Sequence, residues 1–359
     1  MVAFKFLAGG YDVFVATYLF NSATNTLSVQ SKSPTGSNPS WITRNPTNQS
    51  LLYAVNENGN GALQSFHINS DGTLSAAIDT VSSGGSSPAF AAALSTGSVA
   101  VMNYDTGNGK IIPTTAQESK FSQSAPLITF PQPVGGVSHP HMALEHEGEV
   151  LVPDLGGDTI WRLKQNPGTG TYAIQGSIPQ PKGSGPRHIA IFNDRLFTVH
   201  ELASTLSVQN IPAQPNGTTI TYATASIIPS NPSPGAVWAG AEILIPPPSS
   251  AFPTPYIYVS NRNTGTQTPT GDSIAIFEHV NQGQPNEGLV LINQVFTGLD
   301  QIRGMEFGNA DNGCDQFLVA SGVAGSAGVI ILQRTEGGRN LQIVARDLSI
   351  PTRTSFVWL

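Results

Sequence analysis

Ser138-His139-Pro140-His141 leads into the apolar run Val150-Leu151-Val152-Pro153 and stops at Asp154; Gly185-Pro186-Arg187-His188 then leads into Leu196-Phe197-Thr198-Val199 and stops at His200-Glu201. One order is written twice: a Pro or Gly turn carrying polar residues, a short strand, and a polar end. Working outward, Trp41, Phe90, Glu242 and Gly304 open equivalent runs, so the six anchors with His141 and His188 are spaced by 49, 51, 47, 54 and 62 residues. A period near 50 residues is blade spacing in a propeller, where each unit buries its faces only against its neighbours.

Within each unit the anchor is followed by a second strand with a polar end, as in Leu52-Tyr53-Ala54-Val55-Asn56-Glu57, Val99-Ala100-Val101-Met102-Asn103-Tyr104 and Tyr256-Ile257-Tyr258-Val259-Ser260-Asn261-Arg262. Alternating third strands are expected at 62–68, 159–163, 273–277 and 328–332, and turns such as Ser70-Asp71-Gly72-Thr73 lead to an outer strand. Residues 6–11, 12–18 and 26–29 read as a blade lacking its first strand, and residues 351–359 as a first strand lacking its blade. The expected fold is all-β: a single domain over 1–359, a seven-bladed propeller with four antiparallel strands per blade. The C-terminal strand would close the ring on the N-terminal blade and remove its free edges. Trp358 then reads as a closure and packing residue.

Composition agrees. Hydrophobic residues are 39% and charged residues 11%, Gly (37) and Pro (27) are abundant, and no segment sustains a 3.6-residue apolar period. A formal charge of −7 without a Lys/Arg-rich patch argues against a nucleic-acid partner. No apolar run approaches the roughly 20 residues of a spanning helix, so no membrane partner is expected. Cys314 is the sole cysteine, which excludes an intrachain disulfide, and it reads as an inert thiol. Sequons at Asn48-Gln49-Ser50 and Asn216-Gly217-Thr218 favour a secreted protein, although the N-terminus lacks a full signal peptide and a cytoplasmic location is the alternative.

Propeller geometry brings the start of each first strand and the end of each second strand to the same face near the axis. Strand starts supply His139, His141, Arg187, His188, Glu242 and Arg303; strand ends supply Glu57, Tyr104, Asp154, Glu201, Asn261 and Arg262. In a chain this poor in charge, gathering such groups unpaired would be costly. A functional site is therefore expected at this mouth. Asp154 also reads as an Asx-turn residue. A divalent metal is not expected, because no His-x-x-x-His spacing lies on one element.

These motifs resemble the lactonase family of seven-bladed propellers, which includes bacterial 6-phosphogluconolactonases and fungal carboxy-cis,cis-muconate lactonizing enzymes. The resemblance is carried by Gly36-Ser37-Asn38-Pro39-Ser40, Leu52 to Glu57, Ser138-His139-Pro140-His141, Val152-Pro153-Asp154-Leu155-Gly156, Gly185-Pro186-Arg187-His188, Glu201-Leu202, Val259-Ser260-Asn261-Arg262 and Phe356-Val357-Trp358. It implies a catalytic set of His139, with His141 as its rival, Arg187, Arg262 and Glu201, without an obligatory metal or other cofactor. Glu57, His141, Asp154, His188, Glu242, Asn261 and Arg303 are expected to bind substrate. Loops rich in Ser, Asn and Pro suggest the fungal branch, and the proline-rich stretches 229–234 and 246–255 are expected to reshape the mouth.

The expected activity is hydrolysis of a sugar lactone. Glu201 or a histidine would activate water, Arg187 and Arg262 would hold the oxyanion, and His139 or His141 would protonate the leaving oxygen. The alternatives are closure of a muconate-type dicarboxylate to its lactone, and a propeller that binds sugar or protein without turnover. Three arginines suggest an anionic substrate group, while the glutamates leave a neutral aldonolactone equally open.

Overall fold

In the computed structural model, which describes residues 2–310 and 313–359, seven antiparallel sheets follow one another around a ring. Blade 1 takes its innermost strand from the C-terminus: Ser355–Trp358 pairs with Ala3–Gly9, followed by Phe14–Asn21 and Thr26–Pro34. Blade 2 runs through Ile42–Arg44, Leu51–Asn56, Ala62–His67 and Asp79–Ser82, and blades 4 to 7 repeat this four-strand meander. In blade 3 the outer strand is split into Lys120–Phe121 and Ile128–Thr129, both paired with Asn108–Thr115. The expected seven-bladed all-β ring and its closure are present.

Period-2 alternation builds the core. In blade 2, Leu52 and Ala54 pack towards blade 1 with Leu7 and Val15, while Tyr53 and Val55 pack towards blade 3 with Val99 and Val101. Every junction around the ring has such a buried cluster, so each sheet is apolar on both faces. This explains why the second strands read as continuous apolar runs rather than half-polar ones. At the closure, Trp358 sits 5.1 Å from the ring of Phe6 and donates its Nε1–H to Glu306 O at 3.1 Å. Cys314 is buried in the same junction, and burial pushes its thiol up to about 11, as an inert thiol requires.

A polar clamp joins blades 5 and 6. Arg195 presents Nε and NH2 to Glu287 at 2.6 and 2.9 Å, with His279 Nε2 3.0 Å and the Gly283 N–H 2.7 Å from the same carboxylate. The Arg195 hydrogen bonds lead in holding this carboxyl at about 2, below its ordinary 4.5. A depressed carboxyl stabilises the fold above its ordinary value and loses that contribution as pH falls towards the folded-state value. Glu287→Gln is therefore expected to cost about 2 kcal/mol at pH 7 after allowing for solvent screening. The difference from wild type should shrink between about pH 4.5 and 2, as followed by urea denaturation at several pH values.

The stretch 246–255 joins Trp238–Leu244 to Ile257–Asn263, the turn at the end opposite the mouth. Pro246 and Pro247 line a cleft there with Phe307 and Asn309, and Phe252 packs 3.8 Å beneath the Arg334 guanidinium. This insertion does not reshape the mouth, because a first-to-second strand connection cannot reach it. The stretch 229–234 does lie on the mouth side, between Thr221–Ser226 and Trp238–Leu244.

Candidate active site

A repeated backbone hydrogen bond defines the mouth. The N–H of Glu57, Tyr104, Leu155 and Glu201 bonds to the oxygen of Asn38, Ser87, His139 and Gly185 respectively, so these four residues occupy the same place in blades 2 to 5. Residues one position earlier, Asn56, Asn103, Asp154 and His200, end the second strands and face the other way. Glu57, Tyr104 and Glu201 line a cavity of about 300 Å³ with Tyr11, Ala89, His141, Arg187, Arg262, Gln301, Arg303 and Val323.

Register shifts aim the arginines. Irregularities between Pro88 and Phe90, Pro186 and His188, Gly240 and Ile243, and Ile302 and Gly304 recur in the first strands of blades 3, 5, 6 and 7. An extra residue in a strand turns a side chain out of alternation, here Ala89, Arg187 and Arg303 towards the cavity. In blade 4 the strand opens later, at Leu144, and Pro140 and His141 pair with the second strand only by an isolated bridge and the His141 N–H to Pro153 O bond. Proline cannot donate to the ladder, which leaves His141 at the cavity on an irregular segment.

Glu201 is the hub. Its Oε2 lies 2.9 Å from Arg187 Nε and 2.7 Å from Arg262 NH2. The Arg187 Nε–H is not aimed along that line, so this contact is an ion pair rather than a hydrogen bond. Arg187 is 2% exposed, and its NH1 donates to Ala241 O at 2.8 Å. A second carboxyl stands opposite: Glu57 accepts from Tyr11 Oη at 3.0 Å, from Ser40 Oγ, and from Arg303 NH2 at 3.0 Å. Burial pushes the Glu57 carboxyl up to about 7 against the opposing pull of Ser40 and Arg187. Arg303 is itself buried and its guanidinium is lowered to about 10, so it stays charged beside Glu57 at neutral pH.

The histidines separate. His141 lines the cavity and is held neutral, its basicity lowered first by burial and then by Arg187, His188 and Arg262. His139 does not line it: its Nδ1–H donates to Tyr104 O at 2.7 Å and its ring stacks on Tyr104 at 4.4 Å. His188 and Glu242 lie one layer behind His141, with His188 Nε2 3.2 Å from His141 Nδ1 and His188 Nδ1 2.6 Å from Glu242 Oε1.

Two residues expected at the mouth are turned away from it. Asp154 is fully buried and accepts from Ser138 Oγ, His139 N, Gly157 N and Trp161 Nε1 at 2.6, 2.7, 2.9 and 2.9 Å, which spends its carboxylate on the turn. Asn261 donates to Ile227 O and to Ser273 Oγ, while its neighbour Arg262 faces the cavity. Both errors come from aligning strand ends one residue early. Tyr11, Ala89, Gln301 and Val323 were not anticipated; Tyr11 lies two residues beyond the end of its strand at Gly9, one further than Glu57, Tyr104 and Glu201, so the strand-end pattern does not mark it.

At the far end of the channel a cavity of about 350 Å³ is lined by Trp41, Phe90, Glu242, Glu306 and Trp358 among others. Its guanidinium, Arg44, is spent on the oxygens of Gln49 and Trp358 at 2.6 and 3.3 Å. The mouth, with its clamped carboxylate and free-facing histidine, is the stronger candidate. Among the described residues no group of three His, Cys, Asp or Glu is placed to hold a metal ion.

No curated protein matches the sequence. Among solved structures, a Lactobacillus plantarum protein is similar at 21% identity and TM-score 0.82, covering 100% of both chains. A 6-phosphogluconolactonase candidate from Bacteroides fragilis is similar at 20% and 0.79, covering 99% of this chain and 98% of its own. The periplasmic gluconolactonase PpgL of Pseudomonas aeruginosa is similar at 19% and 0.81, covering 99% of each. At these identities the likeness shows the fold, and nothing in it supports the fungal origin expected from the loops. Residues 5–358 match the family model described as "Lactonase, 7-bladed beta-propeller", and the chain belongs to that family.

Proposed function

We propose that the mouth cavity hydrolyses a sugar lactone. The observation that carries this reading is one Glu201 oxygen holding two guanidiniums, Arg187 and Arg262, in a cavity shared with a near-neutral carboxyl and a neutral histidine. Lactone opening needs a base for water, donors for the oxyanion and an acid for the ring oxygen. Both guanidiniums stand on the Glu201 carboxylate, so Glu201 serves to hold them rather than to take a proton. Arg187 and Arg262 receive the negative charge that develops on the carbonyl oxygen, as a fixed pair of donors can.

His141 takes a proton from the attacking water. As the bond from the carbonyl carbon to the ring oxygen breaks, the protonated Glu57 carboxyl gives its proton to the leaving oxygen. The acid product then loses a proton to solvent, and through solvent the His141 imidazolium gives up its proton while the Glu57 carboxylate regains one, which restores both groups. With three arginines against two glutamates, one of them near-neutral, the cavity favours an anionic ligand group as well as the oxyanion. Glucono-δ-lactone and its 6-phosphate are the first substrates to compare.

This assignment fixes the sign of the pH response. Glu57 must be protonated to donate, so kcat/KM is expected to fall as pH rises through about 7. Glu57→Gln should lower turnover by roughly a hundredfold and abolish that alkaline limb. Initial rates of acid release across pH, with spontaneous opening subtracted, test this. A rate that climbs through neutrality in the wild type would remove Glu57 from the acid role.

A further inference from the structure

Behind His141 a chain of polar atoms runs away from the cavity into the channel. His141, His188 and Glu242 are 4%, 0% and 5% exposed, and the Trp41 and Phe90 rings stand roughly perpendicular to His188 at 5.4 and 5.6 Å. Glu242 Oε1 takes the Ile243 N–H at 3.0 Å as well as His188 Nδ1 at 2.6 Å, which marks it as an acceptor. His188 therefore carries its proton on Nδ1. Burial holds His188 below its ordinary value, so the ring is neutral and its Nε2 is bare. A bare Nε2 accepts, which places the His141 proton on Nδ1 across the 3.2 Å contact. The remaining lone pair, on His141 Nε2, is left for the cavity.

Resting on the reading above, in which His141 takes a proton from water, we propose that His188 and Glu242 are positioning residues that lock His141 into its Nδ1–H tautomer and stabilise the imidazolium as it forms. The logic is that of a carboxylate behind a catalytic histidine, extended by a second imidazole. The need for it lies in the surroundings. His141 faces Arg187, Arg262, His188 and Tyr104; the two guanidiniums oppose a positive charge on it. His188 in turn faces Glu242, Arg187 and Glu201, and Glu242 faces Glu306. Glu242 thus supplies the counter-charge along the hydrogen-bonded line. As water yields its proton to His141 Nε2, the Nδ1–H bond to His188 shortens against that carboxylate, and no proton need leave the chain.

The test combines nitrogen-15 NMR of the imidazoles with kinetics, the His141 signals being identified by their loss in His141→Gln. In wild type near pH 7.5, His141 should show a protonated Nδ1 and a bare Nε2. Glu242→Gln, whose carbonyl can keep both hydrogen bonds, should retain that tautomer and lose activity by only about tenfold, the share of the missing charge. Glu242→Met removes the acceptor; the ring pair then becomes free to reverse, and kcat should fall by about a hundredfold or more with KM little changed. A protonated His141 Nε2 in wild type overturns the relay whatever the activity, and so does a folded Glu242→Met protein with wild-type kcat. If Glu242→Met does not fold, the wild-type spectrum and Glu242→Gln still decide. The expected tautomer in a protein that opens no lactone overturns the functional reading instead, and the base role with it.

Discussion

Arg187→Ala is expected to lower kcat/KM for lactone opening by about a hundredfold or more, the scale of losing one preorganised donor from an oxyanion site. Arg187 is held between two contacts, the Glu201 carboxylate at 2.9 Å and Ala241 O at 2.8 Å, and it lines the cavity. Its removal leaves Glu201 with Arg262 alone. The loss should appear chiefly in kcat, because the charge it meets is largest in the transition state. Arg187→Lys keeps a charge but not the fork, and should recover only part of the rate. Circular dichroism separates this from unfolding, since the Ala241 bond also ties blade 5 to blade 6. Near-wild-type turnover in a folded Arg187→Ala protein would remove the guanidinium pair from the mechanism.

The second large effect concerns stability. Asp154→Ala should destabilise the fold by about 4 kcal/mol, because it strips a fully buried acceptor from four donors at once. Those donors span Ser138 to Trp161 and fix the irregular opening of blade 4, on which His141 stands. Asp154→Asn should cost less: its carbonyl can keep the His139 and Gly157 N–H bonds made by Oδ1. The amide would meet Trp161 Nε1–H, which cannot accept, so wild-type stability is not restored. Urea denaturation at an unchanged m-value gives both numbers. A loss below about 1 kcal/mol for Asp154→Ala would show that water replaces the carboxylate freely.

Much of this was legible in the chain. The period near 50 residues and the unmatched terminal strands follow from pattern alone, because each blade repeats one strand–turn unit and ring closure needs one strand from the far end. Strand order then brings first-strand starts and second-strand ends to one face, which is why Glu57, His141, Arg187, Glu201, Arg262 and Arg303 share a cavity. What stayed hidden is register. Alternation makes a one-residue misalignment reverse a side chain, and this turned Asp154 and Asn261 from the mouth to buried positions on the second strands of blades 4 and 6. The register shifts that aim Ala89, Arg187 and Arg303 have no composition signature in a single sequence. Nor does depth: His139, His188 and Glu242 read like cavity residues, yet the first stacks beside the site and the other two stand behind His141.

The central claim is that this mouth opens sugar lactones. The most direct measurement follows acid release from glucono-δ-lactone at constant pH near 6.5, with wild type and folded Arg187→Ala side by side and spontaneous opening subtracted. Wild type is expected to accelerate opening clearly, and that acceleration to fall by about a hundredfold in the variant. Acid release no faster than the spontaneous rate with wild type, for this lactone and its 6-phosphate alike, or equal acceleration by both proteins, would contradict the claim.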